Sequence, residues 1–125
     1  MKKGLVAFCF PGQGSLEVGM GREVAAAPWR PDASVAEDGV VAEEVVWGAL
    51  DCVSSSLVGN PEGNPPIVLG RLTAELLRSA RMGETYVAVG WRIGVEGRKR
   101  HGGSAVFSED GELVGRARAT WIELR

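Results

Sequence analysis

The chain is poor in the residues that build metal, redox and triad chemistry: one histidine and two cysteines in 125 residues. Cys9 and Cys52 stand far apart and neither belongs to a CxxC pair, which argues against a disulfide framework or a zinc site. They read as reduced, half-buried thiols of a cytoplasmic protein. An excess of charge of one sign is missing too. A formal net charge of −2 lacks the basic excess of a general nucleic-acid binder. No apolar run approaches the roughly 20 residues of a membrane span. Met1-Lys2-Lys3 followed by GLVAFCF has the outline of a secretory signal, but Pro11-Gly12-Gln13-Gly14 cuts the run short and no small-residue cleavage site follows promptly. The expectation is a single soluble domain, cytoplasmic, without membrane or nucleic-acid partners.

What is present centres on Asp38–Val58, DGVVAEEVVWGALDCVSSSLV. Val45, Val46, Ala49, Leu50, Val53 and Leu57 recur at helical spacing and form one apolar stripe. Glu43 and Glu44 fall in a first turn, where the helix dipole favours negative charge, and Gly59-Asn60-Pro61 supplies a stop. Asp51 lies mid-helix, away from the stripe, on the side of Glu44 and Trp47.

Residues 4–10 read as a short buried strand ended by Pro11, followed by a glycine-rich loop. Gly12-Gln13-Gly14-Ser15 lacks the lysine of a phosphate loop and the spacing of GxGxxG, so it reads as a plain turn. REVAAAPW leaves strand and short helical turn both open. After the helix, GNPEGNPP over 59–66 is a breaker cluster. Ile67–Arg78 alternates, with Val68, Leu72, Ala74 and Leu76 on one face and Arg71, Thr73 and Glu75 on the other. Arg81–Glu84 turns the chain, and Thr85–Gly94 sets Val87, Val89, Trp91 and Ile93 on one side. Arg98–Ser108 leads through the Asp110-Gly111 hairpin signal into Glu112–Leu124. That last run places Leu113, Gly115, Ala117, Ala119 and Trp121 on one face, small in its middle as if a helix lay closely across it. The reading is an antiparallel meander of four successive strands after one N-terminal strand and a long helix. This is an α+β hotdog fold, a long central helix packed on an antiparallel sheet, whose uncovered edges imply a dimer.

DGVVAEEVVWGALDC, VLGRLTAELLR and the run from Gly83 to Leu124, GETYVAVGWRIGVEGRKRHGGSAVFSEDGELVGRARATWIEL, carry a resemblance. Over residues 29–124 the chain resembles the hotdog-fold acyl-CoA thioesterases related to the phenylacetate-pathway type. The resemblance implies hydrolysis of an acyl-CoA or acyl-carrier-protein thioester by a dimer or dimer of dimers, with no metal and no cofactor. It implies that Asp51 is the helix carboxylate that activates water. The His-Gly-Gly common at the family's helix start is replaced here by Ala42-Glu43-Glu44. Residues 5–27, with FPGQGS and VGMGRE, resemble instead the start of malonyl-CoA:acyl-carrier-protein acyltransferases, with Gln13 near an oxyanion hole. That family's GHSxG nucleophile is absent, so its machinery is not carried over. The chain thus divides into an acyltransferase-like segment, 1–28, expected to contribute a strand, and a thioesterase-like domain, 29–125.

Several residues carry candidate chemistry. Asp51 is either a general base held at an interface or a solvated helix acid. Ser54 and Ser55, one turn on, could hold the attacking water, although mid-helix serines commonly bond backward to carbonyls and no histidine stands near for a triad. Trp47 is a core or interface residue that could line an acyl tunnel. Arg98, Lys99 and Arg100, followed by Gly102 and Gly103, form either a solvated edge or a seat for coenzyme A phosphates. Two other readings stay open: a non-catalytic hotdog that binds acyl groups or dimerises, and an acyltransferase-related fragment.

Overall fold

A computed structural model describes residues 17–18, 24–58 and 65–125. The expected strand over 4–10, Gln13 and the helix stop at 59–61 lie outside these residues.

In chain order the elements are β1 (Glu17–Val18), β2 (Val24–Trp29), a 3-10 turn (Ala33–Val35), β3 (Ala36–Glu37), β4 (Val40–Val41), α1 (Glu43–Ser54), β5 (Ile67–Leu76), β6 (Tyr86–Glu96), β7 (Lys99–Ser108) and β8 (Leu113–Glu123). REVAAAPW resolves as strand over its last six residues. The large sheet is antiparallel throughout, in the order β1-β2-β6-β7-β8-β5, and α1 lies across one face. A long helix on an antiparallel sheet is therefore the architecture, as the hydrophobic patterns imply.

The pairing corrects the simple meander. β6, β7 and β8 follow one another, but β5 leaves the series and pairs with β8. Leu72, Ala74 and Leu76 stand opposite Ala119, Ala117 and Gly115. The small residues of β8 make room for the leucines of β5: a Cβ on Gly115 would come within 3.0 Å of the Leu76 side chain. The chain between β5 and β6 is correspondingly not a hairpin. It crosses to the other side of the sheet, bonding on its way to Val114, Gly39 and Pro31 carbonyls through Leu77, Met82 and Gly83 amides.

The helix starts at Glu43, with Glu43 and Glu44 in its first turn as the sequence implies, and residues 38–42 of the central segment lie before it. Asp38 and Gly39 have positive φ (53° and 81°) and close a two-residue hairpin between β3 and β4. Asp-Gly is the dipeptide such a turn favours, so the chain enters α1 only at Glu43. At the far end the helix gives way after Ser54, with turns to Val58. Val45, Val46, Ala49, Leu50 and Val53 are buried against the sheet, with Trp29, Tyr86, Ala88, Val106 and Val114 in the same core.

Contact is tightest over β6 and β7. A Cβ on Gly90 would collide with the Val53 carbonyl, and one on Gly102 with the Ser54 carbonyl. The small run of β8 suggests the close approach there instead, yet Leu50 lies 3.5 Å from the Cβ position of Gly115, an ordinary contact. Two bulges shift the faces read from alternation. A register shift between Leu69 and Arg71 leaves Val68 exposed, and one between Val106 and Phe107 puts Val114, not Leu113, in the core. Cys52 is disulfide-bonded, which corrects the reduced thiol expected from the sparse cysteine pattern.

Candidate functional site

Trp47, Asp51 and Ser54 follow at i, i+4 and i+7 along one flank of α1, beside the buried stripe. Ser54 on this flank accepts a hydrogen bond from Trp121 Nε1 of β8 at 3.0 Å. The flank therefore turns toward β8 and the outermost strand, β5. Asp51 is half-buried here, closer to the sheet than its place off the stripe implies. Its Oδ1 is buried with no hydrogen-bond partner among the described residues, and the loss of water raises its carboxyl above the usual aspartate range. Trp47, one turn earlier, is 37% exposed, a large aromatic left in solvent beside an under-solvated acid.

Ser54 and Ser55 have structural partners. Ser54 Oγ donates to the Asp51 carbonyl at 2.7 Å while accepting from Trp121, and it is almost wholly buried. Ser55 Oγ donates to the Cys52 carbonyl at 3.1 Å. Both are the backward bonds that serines make near a helix end. Replacing Ser54 by alanine strands the indole N–H of Trp121. We expect about 1–3 kcal/mol of lost stability in denaturant melts, with any turnover per folded molecule retained. A loss of turnover without loss of stability would instead place Ser54 in the chemistry.

Alternation divides the basic run. Arg98 stands in the turn before β7. Arg100 donates to the Val58 carbonyl at 3.1 Å and pairs with Glu123. Arg92 donates to the Leu57 carbonyl at 2.8 and 3.0 Å, so two sheet arginines hold the carbonyls that follow α1. Lys99 faces the opposite way, into a cavity on the outer side of the sheet with His101. Gly102 admits the Ser54 carbonyl and Gly103 lies under the Trp91 indole, so both approaches are filled by the protein itself. Arg71 and Arg118, given no site role in the sequence reading, line that outer cavity beside Lys99. Their signal lies in the polar alternation of β5 and β8.

At the start of α1, Ala42 occupies the capping position and has no side-chain hydrogen bond to offer the first turn. A cleft of about 410 Å³ adjoins this end, lined among others by Val35, Val40, Val41, Ala42 and Glu43. Backbone N–H groups with the positive end of the helix dipole are thus available beside an open space.

No protein-family model matches the sequence, and no curated protein matches it. Solved structures do match its shape. AziG of S. sahachiroi superposes with a TM-score of 0.76 at 15% identity, over 93% of this chain and 96% of that one. A thioesterase from Haemophilus influenzae gives 0.74 at 19% identity, covering 89% and 79%. A hypothetical thioesterase of Streptococcus pneumoniae TIGR4, solved with coenzyme A, gives 0.68 at 12% identity, covering 81% of each. The fold is a hotdog. In this hotdog the helix flank bearing Asp51 and Ser54 turns toward β8, the strand that pairs with β5. Among the described residues no helix is long and apolar enough to cross a membrane.

Proposed function

We propose that this hotdog hydrolyses acyl thioesters, with Asp51 as the base that takes a proton from the attacking water. The carrying observation is the half-buried carboxylate, one oxygen of which has no partner among the described residues, beside exposed Trp47. A carboxylate deprived of water holds its proton more tightly, which suits it to general-base work nearer neutral pH. The thioester carbonyl also needs donors for its developing negative charge, and the first-turn amides of α1 supply them.

One protomer cannot bring these two together. Glu43 and Asp51 are eight residues apart, about 12 Å along a helix of ~1.5 Å rise, whereas a reacting carbonyl needs both within about 3 Å. Two copies joined along β5 set two such helices side by side. Water would then come from Asp51 of one copy and oxyanion donors from the other. The exposed Val68 and Leu69 on β5, with Trp47 on α1, fit a surface covered in this way. We therefore expect a homodimer, or a dimer of dimers, by light scattering; a monomer mass at micromolar concentration would contradict the shared site.

Coenzyme A is the proposed carrier, in keeping with the pneumococcal neighbour solved with it. For the phosphates we retain Arg98 and Lys99, whose side chains have no ion pair among the described residues. A hydrolysis screen across acyl-CoA chain lengths tests the reading. A chain inert to all of them favours the second reading, a non-catalytic acyl-binding module, which gains weight from Ala42-Glu43-Glu44 at the helix start.

A further inference from the structure

The sheet face turned away from α1 carries two cavities that meet at Thr73 and Arg118. The first, about 630 Å³, is polar and cationic: Arg71, Lys99, His101 and Arg118 surround the hydroxyls of Thr73 and Thr120. The second, about 510 Å³, is mainly apolar, with Trp91, Phe107 and Leu113 in its wall. Both volumes are those of ordinary small-molecule pockets.

The charge arrangement is the telling part. Arg71, Lys99 and Arg118 come from three neighbouring strands, β5, β7 and β8, and project from one face. None of the three stands directly opposite another: Arg71 faces Thr120, Lys99 faces Ile122, and Arg118 faces Thr73 and Gly103. Other arginines do find carboxylates, Arg116 with Glu75, Arg100 with Glu123 and Arg78 with Glu112, while Arg92 is held by the Leu57 carbonyl. No carboxylate among the described residues pairs with Arg71, Lys99 or Arg118. Glu96, at the rim, lies 3.2 Å from His101 Nε2, and His101 Nδ1 is 3.0 Å from Thr120 Oγ1. Three uncompensated cations with hydroxyls between them suit an anion of several oxygens, as phosphate is. The adjoining wall suits a flat apolar group. Trp91 lies directly over Gly103, where any side chain would collide with the indole, so the ring is held against β7.

We propose that this outer face is a nucleotide site, with the phosphates among Arg71, Lys99 and Arg118 and the base against Trp91, Phe107 and Leu113. It shares Lys99 with the proposed coenzyme A seat and so rests in part on that reading, but it uses no residue of α1, and ADP binding is measured apart from hydrolysis.

Calorimetric titration of the whole chain with ADP tests it. ADP should bind at least tenfold more tightly than adenosine or inorganic pyrophosphate, because only ADP fills both cavities. Arg71 and Arg118 are exposed, so the double variant Arg71→Gln, Arg118→Gln should fold with an unchanged melting temperature and lose at least tenfold in ADP affinity. Trp91→Leu should weaken ADP and leave pyrophosphate unaffected. Asp51→Asn should bind ADP as the parent does. Displacement of ADP by coenzyme A assigns the pocket to the carrier's own nucleotide; displacement by adenine nucleotides alone assigns it to a free one. Three results would overturn the proposal. They are no ADP binding at millimolar concentration, ADP and pyrophosphate binding alike, or a double variant that binds ADP undiminished. Self-association abolished by the double variant, without nucleotide binding, would make the face a contact between copies instead.

Discussion

Asp51→Asn is expected to lower kcat for thioester hydrolysis by roughly 10²–10⁴ while leaving KM nearly unchanged. The amide keeps the shape of the side chain and cannot accept the proton from water. Stability should move the other way, or not at all. Burial raises the Asp51 carboxyl above its unfolded value of 3.8, so the folded chain binds the extra proton over the interval between the two values. Stability therefore falls as pH rises through that window, and above it the ionised group is a net cost that asparagine removes. The parent's kcat should rise with pH along a limb displaced above the ordinary carboxylate range, and the variant should lack that limb. Steady-state rates across pH, with thermal melts on both proteins, check this. A surface acid would leave rates and melts alone, whereas loss of stability together with activity would mark Asp51 as a structural partner.

Gly90→Ala is expected to be strongly damaging for the addition of a single methyl. The added carbon would meet the Val53 carbonyl of α1, backbone against backbone, with no flexible side chain to yield. Overpacking costs typically 1–3 kcal/mol, and a rigid obstacle belongs at the top of that range or beyond. For a domain of this size about 3 kcal/mol lowers the melting temperature by roughly 10 °C or more. Gly94→Ala makes a close control: it lies on the same strand, with open space at its Cβ position. Similar melts for the two variants would refute the close helix–sheet approach.

Much of this architecture is legible in the sequence because it rests on period. The stripe Val45, Val46, Ala49, Leu50, Val53 announces α1 and its buried face, and alternation announces β5 to β8. Order within the sheet is not legible, since nothing in β5 names β8 as its neighbour; that choice rests on how Leu76 fits above Gly115. The helix start is legible in Glu43-Glu44, and Asp38-Gly39 marks the hairpin that precedes it. At the candidate site the sequence points to Asp51 but not to its burial, which depends on the neighbouring elements. The basic run misleads in another way. Adjacent residues on a strand face opposite sides, so Lys99 and Arg100 never share a surface, while Arg71 and Arg118, distant in sequence, do share one with Lys99.

Gly90 and Gly102 let the last turn of α1 rest on bare backbone, while Tyr86 and Trp29, whose rings sit 5.7 Å apart, fill the core toward its first turn. The helix is in effect a wedge on the sheet, clamped at one end and propped at the other. The first turn, beside the 410 Å³ cleft, is held in another way: Val45 and Val46 are buried, and the Val41 and Ala42 amides leading into it bond to the Ala80 and Val35 carbonyls. The clamped end anchors Asp51 within a turn of Ser54. The acid and the row of first-turn amides thus sit on one helix fixed at both ends, so neither has to be assembled when a substrate arrives.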